Sequence, residues 1–139
     1  MKYKTKEKSF ETLDKGAYSG HQIRKDYMIK NDASWKDLWN VTVSYMNPLL
    51  FEIYKPKLEA PEVDFSKDMV IAVYMGTQMT GGYGIEIKKI LEKKKILEVL
   101  VEEHDPKPWF IYTQALTQPY HIIKTKTTKK KVKFKRVKE

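Results

Sequence analysis

Apolar positions along the chain recur mostly with a period of two, the spacing of strands with one face turned to a core. The exception is residues 69–75, MVIAVYM, an unbroken apolar run carrying β-branched Val70, Ile71 and Val73 and ending at Gly76. It is too short for an ordinary helix, so it predicts a buried strand at the centre of a sheet. Residues 9–13 and 22–30 predict short, half-exposed strands, with turns at Asp14-Lys15-Gly16 and Ser19-Gly20 between them. Residues 85–91 and 96–102 predict a hairpin over the charged turn 92–95, because Ile85 and Ile87, then Leu97, Val99 and Val101, alternate with more polar neighbours. A helix competes there, since the stretch is rich in good helix formers; the glycines just before it favour strands. Residues 116–123 predict another strand with Pro119 near its start. Residues 127–137 set Val132 and Phe134 against Lys131, Lys133 and Lys135, the pattern of an edge strand whose outward lysines oppose sheet-to-sheet aggregation.

Only one stretch has a clear helical period. Trp35, Leu38, Trp39 and Thr42 fall at i, i+3, i+4 and i+7. Asp32 or Ser34 is placed to cap, Asp37 stands three residues after Ser34, and the helix should stop before Pro48. Two indoles on one helical face predict a core anchor. Residues 49–63, with Pro56 and Pro61, predict an irregular connection whose Leu49-Leu50-Phe51 cluster covers one end of the core. The expected fold is mainly β (α+β): an antiparallel β sandwich or partly closed barrel with one helix packed on it. A single domain over 1–139 is expected, with 1–8 a frayed lead-in and 126–139 a basic terminal strand.

A chain of 139 residues can bury a proper core without staples, and the absence of cysteine removes disulfides, thiolate metal sites and cysteine nucleophiles together. The first residues are basic but no apolar core follows them, and no run reaches the length of a membrane span; neither an export signal nor an anchor is expected in the chain as given. The compartment stays open. The net charge of +9 is concentrated at the termini: residues 124–139 carry nine Lys/Arg and one acid, and residues 1–8 four Lys and one acid, leaving the body near neutral. Terminal charge runs are usually solvated, and a nucleic-acid footprint would add base-stacking aromatics or a reading helix. Nucleic acid is therefore disfavoured. The alternative function that the charge keeps open is an anionic-surface or nucleic-acid binder using the basic C-terminal strand.

Four of the six glycines, Gly76, Gly81, Gly82 and Gly84, follow the apolar run within a single short loop. One reading is a long hairpin connection with a bulge in its second strand. The other is a recognition loop displaying Gln78, Met79, Thr80 and Tyr83 on rigid strands. A phosphate loop is excluded, because Lys-Ser/Thr and a helix start do not follow the last glycine. His21, His104 and His121 lack the spacing of a metal motif. The Glu102-Glu103-His104-Asp105 cluster could bind a divalent cation, but adjacent strand residues point to opposite faces, so a solvated strand end is expected. Neither a nucleophile elbow nor a carboxylate pair in a catalytic context is present. A non-enzymatic chain with no cofactor and no metal is expected.

The run DFSKDMVIAVYMGTQMTGGYGIEI at residues 64–87, followed by LTQPYHII at 116–123, resembles the C-terminal domain of the PrcB family of protease-complex subunits. YSG at 18–20 and SWKDLW at 34–39 stand in the order and rough spacing of that family, so the resemblance spans about residues 16–125. Its most specific pieces are Thr80-Gly81-Gly82-Tyr83 after an apolar strand and Pro119-Tyr120-His121 before one. The resemblance implies a protein-interaction module that associates with and stabilises a protease or envelope complex, in a family commonly exported or lipid-anchored. The expected partner surface is Met79, Thr80, Gly81, Gly82 and Tyr83, joined by Pro119, Tyr120 and His121 if the two motifs meet in space. Tyr83→Ala is then expected to weaken binding and leave the fold intact.

Overall fold

A computed structural model of the chain describes residues 4–44, 59–112 and 114–139. In chain order the elements are β1 (Lys6–Lys8), β2 (Glu11–Gly16), β3 (Lys25–Ile29), α1 (Asp32–Ser44), β4 (Asp68–Tyr74), β5 (Gly84–Glu92), β6 (Ile96–His104), β7 (Tyr120–Lys126) and β8 (Lys131–Lys138). They form two four-stranded sheets, β1-β5-β6-β8 and β2-β7-β4-β3. Every pair is antiparallel except β6–β8, which is parallel. Among the described residues the sheets do not close into a barrel, so the molecule is an α+β sandwich.

The apolar run is explained by its place in three layers. Met69, Ile71 and Val73 of β4 point between the sheets, where they meet Ile85, Ile87 and Ile90 of β5 and Leu97, Val99 and Val101 of β6. Val70, Ala72 and Tyr74 point the other way, into a second cluster with Trp35, Leu38 and Trp39 of α1. β4 is thus covered on both faces, and each of its apolar residues is almost wholly buried. The indole face of α1 does anchor the core, and Trp35 also donates its ring N–H to the Pro61 carbonyl at 2.8 Å.

Several expectations are corrected. The helix cap is Asn31, whose side-chain oxygen accepts from the Ser34 N–H at 2.8 Å, in place of Asp32 or Ser34. The glycine loop is not a hairpin: β4 and β5 lie in different sheets, so it crosses the sandwich. The bulge expected in the following strand is present, but between Ile87 and Lys89, away from the glycines. The first residues are not wholly a frayed lead-in, because Lys6–Lys8 pair with the far end of β5. The Leu49-Leu50-Phe51 cluster and the stretch around Pro48 lie outside the described residues. The hairpin over 92–95 formed as expected, and the basic terminal strand is the edge of its sheet.

The Glu102–Asp105 stretch is also more than a solvated strand end. Glu103 continues the inward series of Leu97, Val99 and Val101 and is 1% exposed. Arg24 grips both its carboxylate oxygens. Arg136 of β8 lies 3.2 Å from it as an ion pair without hydrogen-bond alignment. Arg136 also donates to Asp26 at 2.6 Å and to the Tyr74 carbonyl at 3.1 Å, tying β8 to the opposite sheet. Among the described residues, removing the carboxylate leaves Arg24 unpaired and Arg136 with Asp26 as its one remaining counter-charge, so Glu103→Ala is expected to cost about 3 kcal/mol, read as a lowered urea midpoint.

Candidate functional site

Three connections meet at one end of the sandwich: residues 17–24, 75–83 and the described parts of the third, 105–112 and 114–119. Backbone pairing holds them together. Gln78 and Thr117 exchange N–H to carbonyl bonds at 2.8 and 3.0 Å, and Thr117 Oγ1 donates to the Thr80 carbonyl at 2.9 Å. Gln118 donates to the Ala17 carbonyl at 2.7 Å and accepts from Ser19 at 3.1 Å. Met75 donates to the Pro119 carbonyl and Thr77 to that of Gln22, each at 3.0 Å. Two glycines make the close approaches possible. Gly76, at φ +77°, lies so near residues 22–24 that a Cβ would sit 2.9 Å from the Arg24 nitrogen. Gly82, at φ +90°, lies under the Tyr112 ring, where a Cβ would be 2.6 Å away. Tyr112 is itself held by its hydroxyl, which accepts from the Lys107 N–H at 3.1 Å.

This frame displays apolar side chains. Met79 at the tip of the glycine loop is 73% exposed, and Ile111 is fully exposed. Trp109, Phe110, Leu116 and Tyr18 are also large, apolar or aromatic, and exposed. Phe110 meets Tyr112 edge-on at 6.2 Å and carries the Lys107 ammonium 5.8 Å above its ring. Beside these loops a cleft of about 520 Å³ is lined by Arg24, Met75, Gln78, Tyr83, Glu103, Asp105, Pro106 and Lys138. A larger cleft of about 910 Å³ lies on another face, between α1, residues 59–64 and Lys124, lined by carboxylates and lysines.

The residues named from sequence divide sharply. Met79 is displayed, and Thr80 is half-buried with its carbonyl committed to Thr117. Gly81 is buried and Gly82 half-covered. Tyr83 packs partly against the inter-sheet core while its remaining surface lines the smaller cleft, so Tyr83→Ala does not separate binding from folding. The two motifs do meet, but Pro119, Tyr120 and His121 are buried and serve as framework. Tyr120 donates its hydroxyl proton to Asp14 at 2.7 Å and stacks on Tyr74 at 6.2 Å.

His121 is a cross-sheet tie. Its Nδ1 accepts from the Ile87 N–H at 2.9 Å, which leaves the ring proton on Nε2 to donate to Thr12 Oγ1 at 2.8 Å. Ile87 is where the β5 register shifts, and the imidazole takes its N–H there. Burial, then the Lys15 charge, hold the ring pKa down to about 4 against the opposing pull of Glu86. His21 is lowered too, by burial above all; it stacks on Tyr74 at 3.9 Å and its Nε2 meets the Leu38 carbonyl at 3.2 Å. In the sequence, residues 109–112 are only a short apolar run, WFIY. Their exposure depends on the Gly82–Tyr112 and Gln78–Thr117 contacts, which the local pattern does not carry.

The fold and site define a β sandwich with a hydrogen-bonded, apolar loop end. The family model described as PrcB C-terminal matches residues 69–126, so that part of the chain is similar to the PrcB C-terminal domain. The match runs from β4 through the glycine loop and the β5–β6 hairpin to the end of β7. No curated protein and no solved structure gives a significant match. No helix among the described residues is long and apolar enough to cross a membrane.

Two outcomes are expected. Gly82→Ala, strained by its positive φ and pressed on Tyr112, should cost about 1–2 kcal/mol and speed amide exchange at Gln78 and Thr117. His121 has a folded pKa below its unfolded value of 6.5, so the unfolded chain takes up the proton first. Its contribution is fully present above about pH 6.5 and is lost toward pH 4, by up to about 1.4 kcal/mol per pH unit. Urea midpoints across that window should fall less steeply in His121→Asn than in the wild type.

Proposed function

We propose that the chain is a non-enzymatic protein-interaction module that binds a protein partner at the loop end of the sandwich. The partner class suggested by the PrcB-like match is a protease or a protease-containing envelope complex. The observation that carries the proposal is the exposure of Met79, Trp109, Phe110, Ile111 and Leu116 on loops whose backbones are hydrogen-bonded to one another. Scattered apolar side chains on a surface are ordinary, whereas several gathered at one rigid end mark an interaction site. Rigid loops lower the ordering cost of docking, and aromatic and methionine side chains supply the anchors. In this reading Met79 and the exposed part of Tyr83 touch the partner. Thr80, Gly81, Gly82 and Pro119 to His121 set the loop shapes, and no cofactor or metal takes part.

The test is capture from native extract and envelope fractions with the wild type and with Met79→Ser/Ile111→Ser, identified and quantified by mass spectrometry. A protease complex recovered with the wild type should drop by about tenfold or more with the double variant, the size expected for losing anchors. Its thermal midpoint should stay close to wild type, because both side chains are exposed. Equal recovery with both proteins rejects the loop end as the docking surface.

A further inference from the structure

The opposite end of the sandwich gathers positive charge from segments far apart in the sequence. β1 pairs beside the β5–β6 turn, Lys6 opposite Glu92, and that turn contributes lysines at 93, 94 and 95. β8 starts there too, Lys131 opposite Ile96. The β7–β8 connection folds over the same spot: Lys130 reaches both the Glu92 carboxylate and the Lys93 carbonyl at 2.9 Å, and Lys126 and Lys129 flank it. The carboxylates placed among these groups are few. Glu92, Glu98 and Glu11 already hold Lys130, Lys93 and Lys124, leaving Glu7 and, beside Lys126 and on the rim of the acidic cleft, Asp68 and Asp64. The crowding is felt: Lys8 is held below its ordinary value by burial and by Lys130 and Lys126, despite the opposing pull of Glu92. The terminal runs are therefore not solvated tails, since the fold brings β1 and residues 126–131 into one patch and pairs the rest of β8 along β6.

We propose that this lysine-rich end docks onto an anionic phospholipid surface. The chemistry of the patch selects that partner. Its cations are lysines, compact hydrated charges without the planar fork that reads phosphates bidentately. Among the described residues no large apolar or aromatic side chain is exposed there, so it offers neither stacking platforms for bases nor the apolar centre of a protein interface. A sheet of anionic headgroups asks only for charge, at about 1 kcal/mol per lysine near the surface. The nine residues of β5 separate the two ends by about 27 Å, well beyond the screening length. A molecule seated on its lysine end would hold the apolar loops away from the bilayer, free for a protein partner.

The test is cosedimentation of the full chain with vesicles of phosphatidylcholine alone and of phosphatidylcholine with about 30 mol % phosphatidylglycerol, at about 0.1 M and about 0.5 M salt. Lys94, Lys95 and Lys129 make no ion pair or side-chain hydrogen bond among the described residues, so Lys94→Gln/Lys95→Gln/Lys129→Gln should melt like the wild type. The control removes the same charge from the loop end, Lys15→Gln/Lys25→Gln/Lys107→Gln. Expected are binding to the anionic vesicles only, its loss at high salt, a drop of about tenfold or more in the first triple variant and less than about threefold in the control. No binding to anionic vesicles, an equal drop in both variants, or retention by duplex DNA added as competitor in preference to vesicles overturns the proposal. The vesicles carry no protein, so the result is independent of whether the loop end binds a protease.

Discussion

The structure depends on one constraint: β4 is apolar on both faces and has to be covered on both. An alternating strand can leave one side to water, but β4 cannot, because Met69, Ile71 and Val73 project from one face and Val70, Ala72 and Tyr74 from the other. The β5–β6 hairpin covers the first set and the two tryptophans of α1 cover the second. This demand also explains the crossing of the glycine loop. A tight hairpin would have placed β5 beside β4 in one sheet and left the inner face of β4 open; the crossing stacks β5 over it. His121 then stitches the layers by spending its imidazole on the Ile87 N–H that the β5 bulge releases from the ladder.

Closing the sandwich concentrates polar ties at the loop end. Glu103 falls on the inward register of β6, and a carboxylate there is tolerated only with counter-charges delivered from elsewhere. They come from Arg24, in the loop that Gly76 allows to approach, and from Arg136, in the last strand. Parallel pairing of β8 with β6 is what carries Arg136 to the same end as Glu103. The loop end is therefore braced from beneath by an ion network and laterally by the Gln78–Thr117 and Gln118–Ala17 bonds, and on this rigid base large apolar side chains can remain outward.

Much of this was legible in the sequence, and the boundary has a physical cause. Period and β-branching revealed β4, the β5–β6 hairpin and the edge strand, because burial imposes those patterns residue by residue. The spacing of Trp35, Leu38 and Trp39 revealed the anchoring face of α1 for the same reason. Whether the two specific motifs, Thr80 to Tyr83 and Pro119 to His121, meet was left open by the sequence, because only the fold sets it, and exposure could not be read from them: Tyr120 and His121 are polar types that the core satisfies, through Asp14, Ile87 and Thr12. Glu103 was hidden by the opposite effect, a charge at a core position whose partners lie 79 and 33 residues away. The alternation from Leu97 through Val101 was the one available signal that it turned inward.

The distribution of charge follows the same logic of long-range placement. Along the chain the lysines look like two terminal tails around a neutral body. In the fold, antiparallel pairing of β1 with β5 and parallel pairing of β8 with β6 bring the first tail and the start of the second to the β5–β6 turn, which is itself basic. Like charges brought together by topology repel, and that repulsion disfavours the compact state unless counter-ions or a partner screen it. The loop end solves its buried charges internally, each arginine facing a carboxylate. The lysine end does not, for its carboxylates are fewer than its ammonium groups and three of them are already engaged. One end thus pairs its buried charges and is apolar at its surface, while the other gathers lysines in excess of carboxylates and has no large apolar side chain exposed among the described residues. The two proposed partners therefore make different demands, apolar anchors at one end and positive charge at the other, and neither end offers what the other's proposed partner needs.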